Sequence, residues 1–63
     1  MSENKVSQLF EEIKSTIEET QIDVDKFSEK GNGSAGTRVR KAMQSLKNLG
    51  QELRKEISTQ KNA

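Results

Sequence analysis

Apolar residues recur along this chain with alternating gaps of four and three, first at Val6, Phe10, Ile13, Ile17, Val24 and Phe27, with Thr20 filling the one missing step. The spacing resumes at Val39, Met43, Leu46, Gly50, Leu53 and Ile57. A seven-residue apolar repeat places its members along one side of an α-helix and marks that side as a helix-packing seam. Leu9 widens the first stripe, and Ala42 and Leu49 flank the second. Ile22 falls off the stripe. Between the stripes, Gly31-Asn32-Gly33-Ser34-Ala35-Gly36 concentrates residues that tolerate positive φ and cap helices.

These features predict an all-α fold: helix 1 over about 3–30 with Ser2 as its N-cap, a Gly-rich loop over 31–36, and helix 2 over about 37–60. The whole of 1–63 is then one helical-hairpin domain. Gly31 ends the first helix, and Ser34 or Thr37 starts the second. Two helices of about 25 residues, each roughly 38 Å long, fold back as an antiparallel hairpin whose paired residue numbers add to about 67. That register sets Lys41 near Lys26, Arg40 near Phe27 and Lys55 near Glu12. An isolated chain of this length buries only about 60% of the surface exposed when unfolded, and the apolar face is wider than one seam. Pairing of two hairpins into a homodimeric four-helix bundle is the expected solution. Gly50 on the seam, at a cost of about 1 kcal/mol relative to alanine, points to a close helix crossing.

Composition removes several function classes. The chain has no Cys and no His, so disulfides, zinc sites and nucleophile–base pairs built on those residues are excluded. The carboxylates Glu11, Glu12, Glu18, Glu19, Asp23 and Asp25 are mostly adjacent doublets, without the ligand order of a calcium loop and without apolar surroundings to raise a pKa. They read as a solvated helix face. Gly31, Gly33 and Gly36 match the glycine spacing of a dinucleotide-binding turn, but that turn must leave a β-strand, and here it follows a Glu-rich heptad helix. No enzyme activity, cofactor, metal or small-molecule substrate is expected. Phe10 and Phe27 read as packing residues, since base-stacking platforms must be exposed. No apolar run exceeds two residues, so no membrane span or signal-peptide core is expected, and the chain reads as cytoplasmic.

Charge carries the functional signal. Residues 1–30 hold four Lys against six Glu and two Asp, net −4, and residues 31–63 hold seven Lys or Arg against two Glu, net +5. From Lys30 to Gln51 there is no acidic residue, and Arg38, Arg40 and Lys41 crowd the predicted start of helix 2, with Lys30 before the loop and Lys47 beyond it. Cations in the first turn oppose the helix dipole, and a helix start with guanidinium groups suits phosphate oxygens. Lys30, Arg38, Arg40, Lys41 and Lys47 are therefore the candidate DNA-binding residues. The residues Val6, Phe10, Ile13, Ile17, Val24, Phe27, Val39, Met43, Leu46, Leu49, Leu53 and Ile57 are the candidate core or dimer surface.

The stretch Lys30-Gly31-Asn32-x-x-Ala35-x-x-Arg38-Val39-Arg40, followed by Leu46, Leu49 and Leu53-Arg54-Lys55-Glu56-Ile57, resembles the bacterial histone H1-like proteins of the Hc1 family. The similarity is closest over the loop and helix 2. It implies a nucleoid-associated protein that binds duplex DNA with little sequence preference and bridges or organises it. By position, Arg38, Arg40 and Lys41 become DNA contacts, and Gly31 and Asn32 the turn. Longer relatives of this type carry a Lys- and Ala-rich tail that the present residues do not contain, so weaker compaction is expected. The competing expectation is a coiled-coil protein–protein module that binds no nucleic acid.

Overall fold

A computed structural model describes residues 4–62, which form two antiparallel α-helices, α1 (Lys5–Lys30) and α2 (Gly33–Lys61), packed as a hairpin. No strand occurs among the described residues. Helix α1 begins at Asn4, whose side chain accepts the Val6 N–H at 2.8 Å; the expected cap Ser2 lies outside the described residues. The helix ends at Gly31, in the left-handed conformation with φ 64°. Glycine adopts this conformation without the Cβ penalty other residues incur. The Gly31 N–H donates to the Phe27 carbonyl at 2.9 Å.

The connection is shorter than the glycine content suggests. Asn32 accepts the Ala35 N–H through its side chain at 3.1 Å and the Gly36 N–H through its carbonyl at 3.1 Å. It thus caps α2 directly, and neither Ser34 nor Thr37 does. The predicted loop over 31–36 is therefore a turn of Gly31 and Asn32, with Gly33 and Gly36 inside the helix. Gly36 is there for space: a Cβ at this position would lie 2.7 Å from Cδ1 of Phe27. Its missing side chain lets the Phe27 ring rest on the α2 backbone.

The shorter turn also resets the register. Lys5 meets Glu56 at 4.0 Å and Asp23 meets Arg38 at 2.9 Å, so paired residue numbers add to about 61 in place of 67. Asn4 and Gln60 close the far end with amide hydrogen bonds of 3.0 and 2.9 Å.

The apolar stripe divides between two surfaces. Leu9, Thr20 and Ala35 are buried in the contact between the helices, with Val6, Ile13, Val39, Leu46, Leu49 and Leu53 partly covered. Thr20 satisfies its hydroxyl by donating to the Thr16 carbonyl at 2.6 Å. Phe10, Ile17, Val24, Phe27, Met43 and Ile57 remain exposed. Small residues explain the choice. Thr16, Thr20, Ala35 and Ala42 let the helices approach along a line about one residue away from the centre of the predicted seam. The bulkiest members of the stripe are left on an adjoining face.

Candidate nucleic-acid interface

Among the predicted cations, Arg38 is engaged within the hairpin. Its Nε donates to Asp23 Oδ1 at 3.0 Å, and a terminal guanidinium nitrogen reaches the same oxygen at 2.9 Å. The hydrogen bond from Arg38 holds the Asp23 carboxyl below its ordinary range, and Asp23 in turn raises Arg38. The charge of Arg38 is thus largely offset where it stands, although half of its side chain faces solvent. The other ion pairs among the described residues are Lys5–Glu56 and Lys14–Glu11, so Lys30, Arg40, Lys41 and Lys47 have no carboxylate partner within the hairpin.

Because α2 starts at Gly33, its first turn holds no charged residue and Arg38, Arg40 and Lys41 fall in the second and third turns. The predicted conflict with the helix dipole is therefore absent, and these cations project sideways from the helix. At about 100° per residue, they separate into two groups. Lys41 shares the side of Arg38 and Asp23, where Lys30 and Lys26 of α1 also project. The opposite side carries a groove of about 450 Å³ lined by Val24, Phe27, Gly36, Val39 and Arg40, among others. Lys47 lies two turns beyond Arg40 on that second side.

The loop-proximal group is hence Lys26, Lys30, Arg38 and Lys41, against Asp23 and Glu29, a local excess of two positive charges. All but Asp23 are exposed. Lys26 is not among the candidate DNA-binding residues read from the sequence, although it is one of the cations that leave the loop end positively charged. The signal that reveals it is the face it shares with Lys30 once the turn is fixed. The polar groove on this side, farther from the turn, is lined by Glu11, Glu12, Ser15, Thr16, Glu19, Ser45 and Asn48 with Leu49. Its carboxylates would repel phosphate, which leaves the turn end as the part of this side suited to an anion. No group of His, Cys, Asp and Glu residues suited to a metal ion occurs among the described residues, and none of the described helices is long and apolar enough to cross a membrane.

No curated protein and no solved structure matches the chain. The family model for the histone H1-like protein Hc1 matches residues 7–63, nearly the full length, including both helices and the turn. Matched by that model across both helices and the turn, the chain belongs to the Hc1 family of histone H1-like, DNA-binding proteins.

Proposed function

We propose that the protein binds duplex DNA through phosphate contacts made at the turn end of the hairpin, with little sequence preference, and that it acts as a homodimer in organising the nucleoid. The observation that carries this reading is the set Lys26, Lys30 and Lys41, three exposed ammonium groups on the turn half of the hairpin that make no ion pair among the described residues. Arg38, fixed on Asp23, presents its remaining N–H groups beside them. The three lysines project from the last two turns of α1 and the third turn of α2, and in this reading they contact the phosphate backbone and make no base-edge readout. The exposed stripe of Phe10, Ile17, Val24, Phe27, Met43 and Ile57 supports self-association, because large apolar side chains left in water along two adjacent helices gain from a covering surface.

Three phosphate contacts per turn end predict that log K falls against log salt with a slope of about −2.7 per end, at about −0.9 per contact. Gel-shift titrations with several unrelated duplex sequences at a series of salt concentrations test this. Equal affinities across sequences and that slope are expected; absence of binding at low salt overturns the reading.

A further inference from the structure

The charges beside the exposed apolar stripe repeat with it. On α2, Met43, Gly50 and Ile57 recur every seven residues, and immediately outside them Arg40, Lys47, Arg54 and Lys61 do the same. On α1, the stripe residues Phe10, Ile17 and Val24 have the same period and are each followed by an acid: Glu11, Glu18 and Asp25. All seven of these charged residues are exposed. The one cation beside the α1 stripe, Lys14, is already paired with Glu11 at 3.7 Å. Each hairpin thus presents an apolar strip with an acidic border on one edge and a basic border on the other.

From these borders we infer that the occupant of the strip is a second copy of the chain, laid so that α1 of each hairpin packs on α2 of the other and both turns come to the same end. This inference rests on the self-association proposed above and specifies its geometry. Two closed arrangements bring the strips face to face. A two-fold axis perpendicular to the helices stacks α1 on α1 and α2 on α2, with turns at opposite ends. It sets Arg40, Lys47 and Arg54 against their own copies and the acidic row against itself, which like-charge repulsion disfavours. A two-fold axis parallel to the helices lays every acidic border on a basic one.

Register supports the second arrangement independently. With paired numbers adding to about 61–64 inside the hairpin, a parallel two-fold sets Glu11, Glu18 and Asp25 about three residues closer to the turn than the partner's Arg54, Lys47 and Arg40, respectively. Helical side chains tilt toward their own N-terminus. On α1 that is away from the turn, and on α2 toward it, so each acid and cation lean across the offset of about 4–5 Å to meet. All three pairs have the same offset, because both rows have the same period. In this arrangement Phe10 also falls within about one helical turn of the level of the partner's Gly50, where nothing lies within 4 Å of an added Cβ in the single hairpin. The largest residue of one strip faces the smallest of the other. A consequence is that Arg40 and Lys47 serve association, and the duplex contacts are left to Lys26, Lys30 and Lys41, brought together from two copies at one end.

The absence of cysteine permits clean spin labelling at Ser34→Cys, near the turn, and separately at Ser58→Cys, near the far end; both sites are exposed. Pulsed dipolar spectroscopy is expected to give about 20–30 Å between copies for each label, from helix spacings of 8–10 Å. Distances near 40 Å for both labels, consistent with a hairpin 49 Å long, overturn the orientation and leave self-association standing. No dipolar coupling for either label overturns both. In sedimentation equilibrium, Glu18→Lys or Lys47→Glu alone is expected to raise the dimer Kd about tenfold or more, since each change occurs twice and turns attraction into repulsion. The double reversal should restore it to within a few-fold. A dimer Kd that Glu18→Lys alone leaves unchanged or lowers overturns the inference, since in the opposed arrangement residue 18 faces its own copy and stays beside a like charge whichever sign it carries. Duplex affinity of the parent protein, read by gel shift, stands apart from every one of these outcomes.

Discussion

Leu9 and Phe10 are neighbours in the chain that face different surfaces, and truncating each to alanine separates hairpin stability from association. Leu9 is 6% exposed in the contact between the helices. Its replacement removes the equivalent of about three buried methylenes at about 0.8 kcal/mol each, and partial collapse of a thin two-helix contact keeps the total near the low end for buried Leu→Ala changes, about 2–3 kcal/mol. For a domain of this size, at about 4–8 °C per kcal/mol, the melting temperature should fall by about 10–20 °C. Phe10 is 52% exposed, so roughly half of its transfer free energy, about 1–1.5 kcal/mol, is realised within the hairpin. The remainder appears only when a second copy covers the ring. Circular dichroism melts across a hundredfold range of protein concentration distinguish the two. Leu9→Ala should lower the curve at every concentration and retain its concentration dependence. Phe10→Ala should flatten that dependence and, at high dilution, remain below the parent only by the contribution of about 1–1.5 kcal/mol that the ring makes within the hairpin. Equal, concentration-independent losses for both variants would refute the division of the stripe into two surfaces.

Two further outcomes follow from the turn and its neighbouring ion pair. Removing the Asn32 cap by Asn32→Ala leaves the Ala35 N–H without its 3.1 Å partner and should cost about 1 kcal/mol, measured by urea titration. Because Arg38 holds Asp23 below its ordinary pKa, the stabilisation from that carboxylate is present above the unfolded-state value and is lost as pH falls through the lowered folded-state value. The melting-temperature difference between the parent and Asp23→Asn should therefore be constant near neutrality and close below about pH 4; a difference that persists at pH 2 contradicts the pairing. Arg38 remains charged across this window, its own shift being upward.

The two helices and their reversal were legible because a seven-residue apolar repeat admits few other structures, and because Gly31 stands where a left-handed cap is needed. The extent of the turn was not. Three glycines in six residues read as loop, whereas Asn32 caps α2 at once and Gly36 accommodates the ring of Phe27, a packing arrangement formed only after the chain has folded back. That difference moved the register by several residues and concealed the Asp23–Arg38 pair. The stripe was read as one seam because its period is uniform. Its split follows from small residues at Thr16, Thr20, Ala35 and Ala42, whose effect depends on how closely two helices approach. The bordering rows at Glu11, Glu18 and Asp25 and at Arg40, Lys47 and Arg54 have a visible period, but their meaning required knowing which side of each helix the hairpin leaves open.

The loop-proximal lysines are the most direct target for measurement. Salt-dependent duplex binding should be compared among the parent, a Lys26→Ala/Lys30→Ala/Lys41→Ala variant and an Arg40→Ala/Lys47→Ala variant, with the hairpin's helicity verified in each. Replacing the three lysines should reduce the steepness of the salt dependence by about 0.9 for every phosphate no longer neutralised and abolish binding at moderate salt, while the rim variant keeps the slope per hairpin and self-associates less tightly. An unchanged slope in the triple-lysine variant contradicts the assignment of the turn end as the DNA-binding surface.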